Sequence, residues 1–286
     1  MTSGLTGRPW FSFARGKRGL LIVLTAAVVG GAVNVQAGAA AYQPIAAAAG
    51  LPLNPVLEKF SDSITFYLSF NHLPLMATLS TGAGAPASVR GPTTLKPGLY
   101  GRALLVAPKT TITYHAQGNV NLSQPGAMAV WVSPYRWQHL KKHVPFLFFL
   151  MISDHGRILV LARMGAAPNH QVLYAYAGVG NKVFSDVMYS ASSLHWKTGQ
   201  WHLLAVNWGA DSIAFSVDGK TWQKMNVAAT GFARAKGTPG VLQVAPFGCP
   251  VQQQCLLDEL LVFNRPLSVK EIKWIYHQGR EQLKRR

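Results

Sequence analysis

The segment from residue 256 to residue 272 constrains the fold more than any other part of this 286-residue sequence. From Leu256 to Phe263 every residue is apolar except Asp258 and Glu259, a composition typical of a strand buried on both faces. Pro266 lacks the N–H that a β-ladder requires, so the strand is predicted to end before it. Because the strand is predicted to be buried, the carboxylates of Asp258 and Glu259 should have hydrogen-bonding partners inside the protein.

A helix is predicted directly after this strand. Ser268 and Glu271 have the spacing of a capping box, in which each side chain accepts a hydrogen bond from the backbone N–H of the other. The apolar stripe of the helix consists of Ile272, Ile275 and Tyr276. Gly279 is predicted to end the helix in a left-handed conformation, which leaves residues 280–286 as a solvated basic tail.

Alternating apolar residues predict further strands upstream. Every second residue from Ile64 to Phe70 is apolar, which gives a strand one continuous buried face. The Asp218-Gly219 pair lies between two alternating runs and is typical of a tight hairpin turn. With 49% apolar and 13% charged residues, the chain has the composition of a compact domain. These patterns predict an all-β fold.

Three segments carry a resemblance to a known family: residues 256–272, residues 119–134 with Trp131-Val132, and residues 198–208 with Gly199-Gln200-Trp201-His202. Together they resemble the laminin-G-like domains of the concanavalin A-like lectin/glucanase superfamily. The resemblance implies an antiparallel β-sandwich, a concanavalin A-like jelly roll, with a short C-terminal helix. It implies one domain spanning residues 61–279.

The N-terminus has the layout of a signal peptide. An apolar run from Leu20 to Val33 is followed by small residues around Ala37 and Ala39. The basic residues before that run are Arg8, Arg15, Lys17 and Arg18. We predict a signal peptide over residues 1–39, a flexible lead-in over residues 40–60, and export to the periplasm, the cell surface or the medium. An uncleaved membrane anchor is the alternative.

Cys249 and Cys255 are the only two cysteines. In an exported chain a disulfide is the default state of such a pair, and neither a zinc site nor a redox motif fits the spacing. The sequence therefore predicts a disulfide that shapes one loop.

The chain is strongly basic, with 27 Lys and Arg against 10 Asp and Glu and a net charge of +17. Such a field attracts anionic glycans, anionic lipid surfaces or nucleic acid. Adaptation to an acidic environment would explain the scarcity of acids equally well. The sequence contains no RNA-recognition, zinc-finger or helix-turn-helix motif, so no specific nucleic-acid partner is expected.

Catalysis is not expected. Glycosidases of the same superfamily need a pair of carboxylates close together, and the acids of this chain are scattered. A hydrolase would require Asp154 and Asp186 to converge. His139 and His143 are four residues apart, but they lie between prolines and have no acidic neighbour, so they do not indicate a metal site.

A candidate ligand-binding segment mixes aromatic and cationic side chains. Its predicted contact residues are Tyr135, Arg136, Trp137, Lys141 and Lys142. Aromatic rings stack on sugar faces, and the cations can pair with carboxylate or sulfate substituents. The alternative is that Trp137 packs on the sandwich and the lysines form an ordinary solvated surface.

The resemblance also implies calcium, with Asp258 as the first ligand to test. Calcium needs several oxygen ligands, and this chain offers few carboxylates. A buried Asp258 held by backbone N–H groups is the alternative.

These observations predict an exported, non-catalytic binding module that recognises carbohydrate, including anionic glycans or another cell-surface polymer. An adhesion or structural module that binds protein is the main alternative, and a glycoside hydrolase is the third. A membrane partner is expected only if the leader is retained.

Overall fold

The computed structural model describes residues 13–15, 20–22, 54–137, 144–167, 170–179, 182–192, 195–220, 222–226, 240–246, 249, 251 and 253–286. Neither helix among these residues has the length and apolar content needed to cross a membrane.

The described elements are mostly strands. Within the predicted leader, β1 (Phe13–Arg15) and β2 (Leu20–Ile22) pair antiparallel. Two helices flank the other strands, α1 (Pro55–Phe60) and α2 (Val269–Lys284). The strands between them are β3 (Ile64–Leu68), β4 (Leu79–Ser80), β5 (Ser88–Arg90), β6 (Thr94–Gly98), β7 (Gly101–Val106), β8 (Thr111–His115), β9 (Gly126–Trp137), β10 (Val144–Asp154), β11 (Arg157–Ala167), β12 (His170–Val179), β13 (Lys182–Ser192), β14 (His202–Trp208), β15 (Ser212–Val217), β16 (Gln223–Asn226), β17 (Val241–Val244) and β18 (Gln253–Phe263).

These strands form two antiparallel sheets. The nine-stranded sheet has the order β16-β15-β14-β9-β18-β3-β4, with β7 also paired to β18 and β6 to β7. The seven-stranded sheet has the order β13-β12-β11-β10-β17-β8-β5. Buried side chains from both sheets meet in one core, which includes Phe66 and Val130 from the first sheet and Ile152 and Leu242 from the second. The predicted all-β sandwich with a C-terminal helix is confirmed.

The outer face of the nine-stranded sheet packs against the two helices. Trp131 projects from this face, and Tyr276 of α2 stacks on it with ring centroids 5.8 Å apart. Phe60 of α1 meets Phe263 and Trp274 edge to face. This second apolar cluster holds the C-terminal helix on the sandwich.

Two expectations about the ends of the domain are corrected. Helix α2 continues through Gly279 to Lys284, so most of the predicted basic tail is helical. A Cβ atom at Gly279 would lie 2.2 Å from Trp131 Cζ2, so this glycine allows a close approach and does not end the helix. The lead-in ends in α1, where Asn54 caps the helix and Val56 is buried; residues 40–53 lie outside the described ranges.

The predicted disulfide is also not found. Cys249 and Cys255 are both buried and both free thiols. Cys249 Sγ donates a hydrogen bond to the Val106 carbonyl oxygen at 3.1 Å, which satisfies it in the core. Burial raises the pKa of Cys249 to about 12, so the thiol stays protonated at neutral pH.

Candidate functional site

A cleft of about 740 Å³ lies at the end of the sandwich where β9 begins and β14 and β18 end. We call it the polar end cleft. Its walls come from residues 117–125, from the turn that joins β10 to β11, and from residues 264–266. The exposed polar side chains among its lining residues are four amides, one hydroxyl and one imidazole.

Trp208 fixes the first wall. The indole Nε1 donates hydrogen bonds to the carbonyl oxygens of Asn121 at 3.2 Å and Gln124 at 2.8 Å. Gly126 lets the chain cross the indole, because a Cβ there would lie 2.3 Å from Trp208 Cζ2. Asn121 Oδ1 accepts a hydrogen bond from Ser123 N at 2.9 Å, which tightens the turn. The loop is therefore held by a core side chain.

Asn119 anchors the base of the same loop. It is fully buried, and Nδ2 donates to the carbonyl oxygens of Ala83 at 2.8 Å and His115 at 3.1 Å. The backbone carbonyl oxygen of Asn119 accepts a hydrogen bond from Thr65 Oγ1 at 2.7 Å. A buried amide with satisfied donors fixes the backbone at this point.

The second wall is the turn at His155. His155 has φ +47° and Gly156 has φ +81°, the left-handed conformations of a tight hairpin turn. Asp154 Oδ1 bonds to His155 Nδ1, and Asp154 Oδ2 accepts from Leu122 N at 3.0 Å and Arg157 Nη2 at 3.3 Å. Both carboxylate oxygens of Asp154 are thus engaged, and the partly exposed imidazole keeps Nε2 for a ligand.

The third wall contains Arg265. Its guanidinium donates to both carboxylate oxygens of Glu271, at 2.8 and 3.2 Å. These hydrogen bonds lower the pKa of Glu271 to about 2. The arginine is therefore tied to the first turn of α2 and its charge is largely compensated.

Three exposed side-chain amides that line the cleft make no hydrogen bond to any described residue: Gln117, Gln124 and Asn264. An amide both donates and accepts, so it can pair with a sugar hydroxyl in either sense. Sequence reasoning missed these residues because amides in polar loops carry no motif.

The segment predicted to bind ligand lies toward the other end of β9. Tyr135, Arg136 and Trp137 are its last three strand residues, whereas Lys141 and Lys142 lie outside the described residues. The pairing with β18 skips Tyr135, since Pro134 faces Cys255 and Arg136 faces Gln254. This bulge directs Tyr135 to the outer cluster and Trp137 to the core between the sheets, so the two rings do not share a surface.

Trp137 belongs to a stack of side chains. Its ring lies parallel to Trp196 with centroids 5.6 Å apart, and Trp196 lies 3.7 Å from the ring of His202. The guanidinium carbon of the buried Arg163 sits 4.0 Å from the Trp137 centroid. His202 Nδ1 in turn bonds to Asp218 Oδ2 at 2.8 Å. This arrangement corresponds to the packing alternative for Trp137.

Asp258 is fully buried below the β6–β7 turn. Its Oδ2 accepts hydrogen bonds from Leu99 N at 2.6 Å and Tyr100 N at 3.3 Å, and Oδ1 accepts from Glu259 N at 3.0 Å. Burial raises its pKa well above the ordinary range. Both oxygens of Asp258 thus accept hydrogen bonds from backbone N–H groups, which corresponds to the alternative to a calcium ligand. The described residues contain no cluster of three or more His, Cys, Asp or Glu that could hold a metal.

Comparison with known proteins identifies a fold and no family. No protein-family model and no curated protein matches the chain. Among solved structures, the receptor-binding domain of the botulinum neurotoxin C/D mosaic serotype is similar, with a TM-score of 0.59 and 12% identity over 76% of this chain and 52% of that one.

Two further structures are similar to a comparable degree. One is from botulinum neurotoxin type C, whose cell entry depends on interaction with two ganglioside molecules (TM-score 0.57, 12% identity, 78% of this chain and 53% of that one). The other is the neurotoxin DC binding domain in complex with rat synaptotagmin II (TM-score 0.58, 13% identity, 77% and 52%). The chain thus spans about half the length of these neighbours, and at such identities the likeness shows the fold alone.

Proposed function

We propose that this protein is an exported, non-catalytic binding module that recognises carbohydrate through the polar end cleft. This proposal rests on three exposed amides that have no hydrogen-bond partner among the described residues: Gln117, Gln124 and Asn264. They lie on walls that core side chains such as Trp208 hold in place. A volume of about 740 Å³ suits one or two sugar units.

The chemistry of the lining favours a neutral sugar. Sugar hydroxyls both donate and accept, as amides do, and the His155 imidazole adds a further hydrogen-bonding group. The charges near the cleft are compensated, because Asp154 is engaged by Arg157 and Arg265 by Glu271. Recognition in this cleft therefore rests on hydrogen bonds to hydroxyl groups.

A binding role fits the cleft better than hydrolysis. Asp154 is the one carboxylate among the described lining residues, whereas glycoside hydrolysis needs two. Asp186 lies on β13, three strand positions from β10 in the same sheet. At a spacing of about 4.8 Å per strand that is roughly 14 Å, too far for a catalytic pair.

The neighbours with the same fold lend general support. One neighbour comes from a neurotoxin whose cell entry depends on gangliosides, and another is in complex with rat synaptotagmin II. Because synaptotagmin II is a protein, the second neighbour supports a protein partner as the alternative ligand. The basic leader pattern supports export. Toward the other end of β9, apart from the polar end cleft, a separate set of contacts for an anionic substituent is proposed: Tyr135, Arg136, Lys141 and Lys142.

The proposal is tested with an array of neutral and anionic glycans at low and high salt. We expect retention of one neutral glycan class that survives high salt, because uncharged hydrogen bonds are not screened. The double variant Gln124→Ala/Asn264→Ala should weaken this binding about tenfold, the effect of two lost hydrogen bonds.

The matched control is Gln278→Ala/Gln282→Ala, which removes two amides of α2 that do not line the cleft. Its affinity should equal that of the parent protein. Equal affinities for all three proteins would move the site away from the polar end cleft, and retention of polyanions alone, abolished by salt, would reduce the activity to bulk charge.

A further inference from the structure

A second cleft, of about 750 Å³, lies between the turn after β15 and helix α2. We call it the basic cleft. Its lining includes Asp218, Lys220, Trp222, Lys273, Tyr276 and His277. Trp208 and Asp218 lie at opposite ends of the β14–β15 hairpin, so about 20 Å separates this cleft from the polar end cleft.

The sequence builds both walls rigidly. Lys273, Tyr276 and His277 have i, i+3, i+4 spacing and share one face of α2. Gly219 brings the turn against that face, since a Cβ there would lie 3.0 Å from Tyr276 Cβ and 3.1 Å from Lys273 Cα. Because Tyr276 also stacks on Trp131, the helix wall is anchored to the sandwich.

Hydrogen-bond donors dominate the lining. The carboxylate of Asp218 is already occupied, with Oδ2 on His202 Nδ1 at 2.8 Å and Oδ1 on Leu203 N at 3.0 Å. Among the described residues, neither Lys220 nor Lys273 has an acidic partner. The half-buried ring of Trp222 lines the cleft beside them. Positive charge thus converges here without a matching acceptor among the described lining residues.

We propose that the basic cleft binds a carboxylate or sulfate group carried on a sugar ring. The two ammonium groups supply charge-assisted hydrogen bonds to the anion, and the ring of Trp222 lies beside the sugar. This site is independent of the polar end cleft. It gives the strongly basic chain one defined place for an anionic sugar, in addition to a diffuse field.

The test is calorimetric titration in 150 mM salt with a heparin hexasaccharide and with its desulfated and carboxyl-reduced counterpart, which carries neither anion. The variant Lys220→Gln/Lys273→Gln should lose at least tenfold in affinity for the sulfated probe. The control Lys197→Gln/Lys270→Gln removes the same charge from exposed positions outside the cleft and should change affinity less than twofold. Equal losses in the two variants would overturn the proposal, because bulk charge would then explain the binding.

Further measurements separate the remaining explanations. Trp222→Leu keeps an apolar side chain without the aromatic ring and should weaken binding severalfold; an unchanged affinity would place the sugar outside the cleft and overturn the proposal. Equal binding of the desulfated and carboxyl-reduced probe would do the same. Binding to phosphatidylserine vesicles with none to the hexasaccharide would assign the site to lipid and also overturn it.

The independence of the two clefts is tested with Gln124→Ala/Asn264→Ala, which should leave binding of the sulfated probe unchanged. A loss of that binding would show that the two clefts act as one site.

Discussion

Asp258 and Glu259 are neighbours in sequence, and both side chains are fully buried on the same side of β18. Regular strand alternation would place them on opposite faces. The register with β9 shifts between Asp258 and Leu261, and Glu259 has φ +53°. This bulge turns both carboxyl groups toward the outer cluster, at the cost of a left-handed non-glycine residue.

Glu259 makes stability depend on pH. Its Oε2 accepts hydrogen bonds from Tyr67 Oη at 2.7 Å and from Asn54 Nδ2. Burial nevertheless raises its pKa from 4.5 to about 8. Across that window the folded protein keeps a proton that the unfolded chain has released, so the free energy of unfolding falls as pH rises, by at most about 1.4 kcal/mol per pH unit.

Glu259→Gln should remove this contribution, because an amide keeps the acceptor oxygen for Tyr67 and Asn54 and does not titrate. The measurement is urea unfolding of both proteins at several values between pH 4.5 and pH 8. We expect the stability of the variant to fall less steeply with rising pH than that of the parent. Parallel curves would show that Glu259 does not titrate in this range.

The sequence predicted that the two acids need internal partners, and the partners exist. It did not identify them, because the donors to Asp258 come from Leu99 and Tyr100, about 160 residues earlier in the chain. The bulge at Tyr135 was likewise unpredicted. Its one-residue shift depends on the pairing of β9 with β18, which no local pattern encodes.

At the scale of elements, the two ends of α2 differ in how far the sequence determines them. The capping box at its start is local and was predicted correctly: Ser268 Oγ accepts from Glu271 N at 3.2 Å, and Glu271 Oε2 accepts from Ser268 N at 2.7 Å. The other end was predicted wrongly, because Gly279 serves a tertiary contact with Trp131.

Gly279→Ala tests that contact. In an unconstrained helix interior this change stabilises by about 0.5–1 kcal/mol. Here the added methyl would meet the Trp131 ring, so we expect destabilisation by about 1–3 kcal/mol. The measurement is the free energy of unfolding, with Arg280→Ala, on the exposed side of the same turn, as the control expected within about 0.5 kcal/mol. A stabilised Gly279→Ala variant would contradict the close approach.

At the scale of the whole molecule, the sandwich has one cleft near each end of the β14–β15 hairpin. The linings of the two clefts differ in charge. Strand patterns predicted the architecture, because alternation and turns are local signals. They did not predict the polar end cleft, since Gln117, Gln124 and Asn264 come together only when the start of β9 and the ends of β14 and β18 meet at one edge. The aromatic and cationic residues instead predicted a ligand-binding segment at the other end of β9, where Trp137 is part of a packed stack.

The central claim is that neutral sugar binds in the polar end cleft, and side-chain amide NMR tests it most directly. The protein is titrated with the neutral oligosaccharide best retained on the array while the amide signals of Gln117, Gln124 and Asn264 are followed. We predict saturable shifts of these three signals, with the Gln282 amide and the Trp137 indole unchanged. Shifts confined to Trp137 and its neighbours, with the three amides unmoved, would contradict the account.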